Sequence, residues 1–311
     1  MYWNLKVLMK RYLIVGGSGF LGSHVVSELL ERQAQVSVSD IIGPQYANRL
    51  KNKMDSINYI WKSAEDLNER DISDVDCILF LAAQADVPLV LSSPKYSFHT
   101  NTAGLINVLE LIRTKKNTQL IFMSSKNVYG KPDQSLVSED DVLRPTDPYG
   151  AGKAAADLMC QSYAESFGLS ISVIRSSGLF GPNSRLQQVI PIFIKQALKD
   201  LPITIEGDGS QSTDFNYVMN LVDAMIVMAE SNVKGVYNIA YGTDYSIKDI
   251  ADLIIKQTNS KSEIKNLPWR SGEKGMKLSL SVEKAKKEFG YSPKISFEEG
   301  IGKTIDWMRE L

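Results

Sequence analysis

An apolar run, Tyr12-Leu13-Ile14-Val15, opens directly onto Gly16-Gly17-Ser18-Gly19-Phe20-Leu21-Gly22, and an amphipathic stretch over Leu21–Glu31 follows. Few folds accept a strand that hands over to a helix through glycines in a G-x-x-G-x-x-G spacing. Such glycines let the backbone turn tightly, approach a pyrophosphate and pack helix against strand. The helix start then offers N–H groups and a positive dipole end to phosphates. Short apolar runs recur at Tyr12–Val15, Val36–Val38, Ile57–Trp61, Cys77–Ala82, Leu120–Met123 and Ile171–Ile174. Helical patterns over Leu21–Glu31, Thr102–Thr114 and Tyr149–Phe167 lie among them. Buried runs alternating with helices predict βαβ units with right-handed crossovers and an α/β, Rossmann-type doubly wound parallel sheet.

The pattern changes after about Gly181. Helices near Leu186–Leu198, Leu221–Ser231, Ile247–Gln257, Val282–Phe289 and Phe297–Arg309 mix with short strands near Ile203–Ile205 and Val236–Ile239. We expect a dinucleotide-binding domain over 9–180 and a smaller C-terminal α/β substrate lobe over 181–311, with the chain crossing between lobes more than once.

Asp40 ends the second apolar run, Val36-Ser37-Val38-Ser39. A carboxylate there accepts hydrogen bonds from the adenine-ribose hydroxyls and repels a 2′-phosphate, which favours NAD over NADP. Arg49 and Lys51, further along, are the cations an NADP reading would use; a strand-end aspartate facing water is the plain alternative.

Tyr149-Gly150-Ala151-Gly152-Lys153 supplies the chemistry, with Ser125 lying 24 residues before Tyr149. On a helix Tyr149 and Lys153 share a face. A free tyrosine titrates near ~10 and is a poor base at neutral pH. A neighbouring ammonium and an oxidised nicotinamide both favour its phenolate. Tyr149 can then take the proton of a substrate hydroxyl while hydride leaves the same carbon. Ser125 can hydrogen-bond that oxygen. A binding protein would need only the glycine turn.

The remaining composition narrows the class by exclusion. A net charge of -1 over 311 residues gives no reason to expect nucleic acid or an acidic membrane as partner. Cys77 and Cys160 make no disulfide framework and fit two buried thiols in a reducing cytoplasm. The two histidines, His24 and His99, form no metal-ligand cluster, so no metal is expected. Residues 1–8 lack the n-region, apolar core and cleavage site of a signal peptide, and no membrane span is visible. Met9 is expected to be the functional start, with residues 1–8 an extra tail.

Taken together, Gly16–His24, Leu81-Ala82-Ala83-Gln84-Ala85, Asn101-Thr102-Ala103-Gly104, Ser124–Gly130, Pro148–Lys153 and Gly207-Asp208-Gly209 resemble the extended short-chain dehydrogenase/reductase family of NAD-dependent nucleotide-sugar epimerases and dehydratases. The resemblance runs from Tyr12 to about Trp307. It implies that Gly16, Gly19, Phe20, Leu21, Asp40, Ser124, Tyr149 and Lys153 hold NAD. It further implies that Leu81, Ala82 and Ala83 line the cofactor, that Asn101 supports the nicotinamide side, and that Asp66 and Leu67 contact adenine. The helices Thr102–Lys115 and Tyr149–Phe167 resemble the family's dimer contact, so a homodimer is expected. Family 4,6-dehydratases carry Asp-Glu directly after the Ser/Thr, and decarboxylases carry a Glu; here the pair is Lys126-Asn127. Ser125 with no following acid is the form of 4-epimerases and 4-ketoreductases.

Two departures bear on the substrate. Gly178 stands where the family places an Asn that reaches the sugar-nucleotide phosphates, and Thr213 replaces a phosphate-binding Arg. Arg270 matches the family's second phosphate arginine, and Val189-Ile190-Pro191 matches a segment flanking the nucleotide base. Arg185 is a candidate replacement cation, or a solvated loop charge. The expected function is an NAD-dependent nucleotide-sugar 4-epimerase, with UDP-glucose/UDP-galactose as a candidate pair. A net oxidoreductase (a 4-ketosugar reductase, or a relative acting on a hydroxy amino acid such as threonine) is the alternative. A non-enzymatic dinucleotide sensor ranks third, because such proteins commonly lack the tyrosine or lysine.

Overall fold

A computed structural model describes residues 10–85, 87–269 and 277–311. Met9 and Arg270 lie outside the described residues. The strands of the large sheet are β1 (Arg11–Val15), β2 (Gln35–Asp40), β3 (Asn58–Trp61), β4 (Cys77–Phe80), β5 (Gln119–Met123), β6 (Ile171–Ser176) and β7 (Gly235–Ile239). Their spatial order is β7-β6-β5-β4-β1-β2-β3, and every pairing from β6 to β3 is parallel. The order turns back at β1, between β4 and β2. Open α/β sheets bind ligands at such a reversal, beyond the carboxyl ends of the strands.

Three helices position the candidate site: α1 (Phe20–Glu31), α2 (Gly104–Lys115) and α3 (Pro148–Phe167). On α2, Leu105, Val108, Leu109 and Ile112 recur at helical spacing and are fully buried. They join Leu13, Val15, Ile78, Phe80, Leu120 and Phe122 of the strands, together with Ala156 and Cys160 of α3, in one apolar cluster. The start of α3 is fixed locally. Asp147 is its N-cap and accepts the Gly150 N–H at 2.8 Å, and Pro148 fills the first turn, where its missing N–H does no harm. Gly168 ends α3 in the left-handed region at φ 66°.

The chain forms two compact units. One takes residues up to Gly130, then Leu143–Arg175 and Val222–Tyr237; the other takes Lys131–Val142, Ser176–Leu221 and Asn238–Leu311. The second unit holds a sheet of the strands Asp244–Ser246, Ser212–Tyr217, Lys277–Leu280 and Leu136–Val137, with Gly178–Phe180 pairing to Ser212–Tyr217. A separate pair joins Ile203–Glu206 to Ile264–Leu267.

One expectation is corrected. The run Val236–Ile239, read as a strand of the smaller lobe, lies in β7, the edge strand of the large sheet beside β6. An apolar run reports burial but not which sheet it joins.

Candidate active site

The catalytic and cofactor candidates all fall in the first unit, at the end of β2, on the segments that follow β1, β3, β4 and β5, in the turn before α2, and on α1 and α3. The glycine turn is held by its backbone. Gly16 has φ 86° and donates its N–H to Ser39 O at 2.7 Å, and a Cβ on it would sit 2.7 Å from backbone atoms of Ala82. The turn and the Leu81-Ala82-Ala83 segment thus touch backbone to backbone. A Cβ on Gly22 would lie 2.4 Å from Gly16 O, closing the turn on α1. Gly19 differs: its added Cβ would meet only Gly16 O, at 3.2 Å. It is also the N-cap of α1, with no side-chain cap and no acidic residue in the first turn. Helix N–H groups left without a protein carboxylate suit an anion.

Asp40 is nearly buried at the end of β2. One carboxylate oxygen accepts the Ser18 N–H at 2.9 Å and the other accepts the Ile42 N–H at 3.0 Å. Ser18 Oγ is 2.8 Å from the Tyr59 hydroxyl, which donates to Ile42 O at 2.7 Å. Asp40 is therefore fixed in place at the edge of the glycine turn, and its oxygens keep lone pairs for further donors. The glycine cradle, the helix start and this carboxylate together fit a dinucleotide.

Two further segments are pinned alongside. Asn101 lies in a single π-helical turn, His99–Ala103, and is 1% exposed. Its side chain accepts the Gln84 N–H at 2.7 Å and donates to Gln84 O at 3.2 Å, which fixes the chain just past Ala83. Asp66 ends a short 3₁₀ turn, Ala64–Asp66, capped by Ser63, whose hydroxyl is 2.6 Å from its carboxylate. Leu67 is buried, and Asn107 of α2 donates to the carbonyls of Ala64 and Leu67 at 2.8 and 2.9 Å.

Ser125 caps the turn Lys126–Val128 and accepts the Asn127 N–H at 3.2 Å. The first turn of α3 lies against that turn, since a Cβ on Gly150 would be 2.6 Å from Asn127 O. Tyr149 is the second residue of α3, in the first turn at the positive end of the helix. Lys153 is 1% exposed; its Nζ donates to Met123 O at 2.8 Å and lies 4.9 Å from the centre of the Phe122 ring. Burial lowers its pKa to about 8, an effect that the nearby Cys160 and Asp157 partly oppose.

A buried cluster beneath these residues escaped the sequence reading. Asp157, one turn beyond Lys153 on α3, is fully buried and pairs with Arg175 of β6 at 2.9 Å. The Ser124 hydroxyl also donates to Asp157, at 2.9 Å. Two signals pointed to it: the i, i+4 spacing from Lys153, and an arginine inside the otherwise uncharged run Ile171-Ser172-Val173-Ile174-Arg175-Ser176.

Of the substrate candidates, Ser125 lies in the first unit, Gly178, Arg185 and Val189 fall in the second, and Arg270 is outside the described residues. Gly178 pairs with Phe215, and a Cβ on it would lie 2.9 Å from that ring. Arg185 and Val189 are part-exposed, Val189 being the first residue of the helix Val189–Ala197. Both cysteines are free and buried. Among the described residues no group of three or more His, Cys, Asp or Glu side chains could hold a metal, and no helix is long and apolar enough to cross a membrane.

Known proteins give the same outline. The sequence matches the NAD dependent epimerase/dehydratase family over residues 12–240. It is 31% identical to a putative UDP-glucose 4-epimerase of Methanocaldococcus jannaschii, over 96% of this chain and 98% of that one. It is 30% identical to the human dTDP-D-glucose 4,6-dehydratase, over 97% and 90%. The fold superposes on a Bacillus cereus UDP-glucuronic acid 4-epimerase, solved with UDP-glucuronic acid and NAD, with a TM-score of 0.88 at 27% identity, covering 96% of this chain and 99% of that one. The family match covers well over half of the chain, and the chain belongs to the NAD-dependent epimerase/dehydratase family of enzymes.

Proposed function

We propose that the protein is a nucleotide-sugar 4-epimerase working through a transient 4-keto sugar, with UDP-glucose/UDP-galactose as the first pair to test. Relatives of similar identity include both an epimerase and a dehydratase, so overall similarity does not choose the reaction. The observation that carries the choice is the turn after β5: Ser125 is followed by Lys126-Asn127, with no carboxylate to drive elimination or decarboxylation.

In this reading Gly16, Gly19, Phe20 and Leu21 hold the pyrophosphate, Asp40 the adenine ribose, and Asp66 and Leu67 the adenine. Leu81, Ala82, Ala83, Asn101 and Ser124 line the nicotinamide half. NAD held by these residues would supply a hydride acceptor and donor for C4 of the sugar. Tyr149 removes the 4-hydroxyl proton and gives it back. Ser125 donates a hydrogen bond to that oxygen as it becomes a carbonyl. The Lys153 ammonium and the start of α3 favour the Tyr149 phenolate. Val189, Arg185, Arg270 and the backbone at Gly178 serve the nucleotide-diphosphate end.

Incubation with UDP-hexoses should give interconversion at C4 without net NADH, and Tyr149→Phe should lower kcat roughly 10²- to 10⁴-fold. Failure to convert any nucleotide hexose would sink the proposal. One observation favours a second reading, a net oxidoreductase. The Phe215 ring fills the space that a side chain at position 178 would take, so no Asn can reach sugar-nucleotide phosphates from there. Stoichiometric NADH on adding substrate would select that reading.

A further inference from the structure

We propose that the buried Asp157–Arg175 pair is a positioning device that sets the register between Ser125 and the Tyr149/Lys153 helix; the proposal rests on the catalytic roles given above. Arg175 is 3% exposed and Asp157 not at all. Isolated charges at such depth are strongly disfavoured, and a pair persists only with its remaining hydrogen-bonding capacity satisfied. Here it is satisfied by groups from each element that carries a catalytic side chain.

One Asp157 carboxylate oxygen accepts Arg175 Nε at 2.9 Å and Ser124 Oγ at 2.9 Å. The other accepts Arg175 Nη2 at 3.2 Å and Gln161 Nε2 at 2.6 Å. The remaining arm of the guanidinium, Nη1, donates to the Tyr129 hydroxyl at 3.0 Å, and the guanidinium carbon lies 5.1 Å from the centre of that ring. Ser124 immediately precedes Ser125, and Tyr129 immediately follows the turn that Ser125 caps. The Ser125 segment is thus fastened at both ends to one ion pair. Asp157 fastens α3 to the same pair one turn beyond Lys153, and Lys153 donates to Met123 O on the strand that leads into Ser124.

A planar guanidinium binding both carboxylate oxygens fixes direction as well as distance, which a lysine cannot do. A displacement of about 1 Å between reacting groups can lower a rate on the order of a hundredfold. Asp157 and Arg175 touch neither substrate nor cofactor in this account; they act through Ser125, Tyr149 and Lys153.

Two variants that conserve charge test the idea, Ser124→Ala and Arg175→Lys. Ser124→Ala removes a single hydroxyl, so it remains informative if Arg175→Lys fails to fold. The readout is ultraviolet difference titration of the Tyr149 tyrosinate in NAD-loaded protein, each variant being compared with its own Tyr149→Phe derivative. If Lys153 shifts relative to Tyr149, the tyrosine titrates at higher pH than in the wild type. We expect that upward shift, with kcat for UDP-hexose lower by roughly ten- to a hundredfold while KM changes by less than about threefold. An unchanged Tyr149 titration with kcat within about twofold of wild type, whatever the melting temperature, would make the pair merely structural and overturn the proposal. Should the wild-type protein epimerise no nucleotide hexose, the functional reading fails, yet the titration still decides this point.

Discussion

Lys153 is a buried ammonium that donates to a carbonyl, Met123 O, and its depressed pKa has a consequence for stability. Its folded value, about 8, lies below the ordinary lysine value of 10.5. Below about pH 8 both folded and unfolded chains hold the proton, and the burial penalty acts in full. Between the two values the unfolded chain binds more protons, so stability rises with pH, and the gain is complete above the unfolded value. Urea unfolding should therefore show wild type gaining stability relative to Lys153→Met between pH 7 and pH 10; a constant difference would contradict the assignment. Ser125, Tyr149, Lys153 and Asp40 were legible as candidates because each sits at a fixed offset from a strand end or a helix start. Asp157 and Arg175 were not, because a carboxylate on a helix and an arginine on a strand meet only through tertiary packing. Arg270 lies outside the described residues.

Elements decide what each glycine does. Gly16 is constrained twice, by its positive φ and by the Ala82 backbone, whereas an added Cβ at Gly19 meets only Gly16 O. Gly16→Ala should destabilise the protein by about 1–3 kcal/mol in denaturant titration. Gly19→Ala should keep nearly wild-type stability but bind NAD roughly ten- to a hundredfold more weakly, about 1.4–2.7 kcal/mol by calorimetry. Equal stability losses in the two variants would contradict that division. The strands of the first half were legible as apolar runs, with ends displaced by a residue or two. β7 was placed in the wrong sheet, since its pattern says nothing about its neighbour. The π-helical turn His99–Ala103, which pins Asn101 to Gln84, left no mark in the periodicity. The short strands Leu136–Val137 and Asp244–Ser246 are too brief for alternation to register.

For the whole molecule, the chain's path between its two units follows from its order: the first unit is completed only when Val222–Tyr237 returns to it. On the first unit, apolar side chains stay exposed where the family resemblance places a dimer contact: Ile106 on α2, Leu158 and Phe167 on α3, and Phe98 just before the π-helical turn. Leu158 is 54% exposed and Phe98 53%, a concentration that a two-fold partner would cover. Sedimentation should show a homodimer that Leu158→Arg converts to monomer; a monomeric wild type would contradict the expectation. The central claim, reversible hydride transfer at C4 within one bound complex, is tested most directly with UDP-glucose deuterated at C4. The account predicts UDP-galactose that keeps the deuterium at C4, with none released to solvent or to free cofactor. Deuterium lost to water, or recovered on stoichiometrically released reduced cofactor, would contradict it.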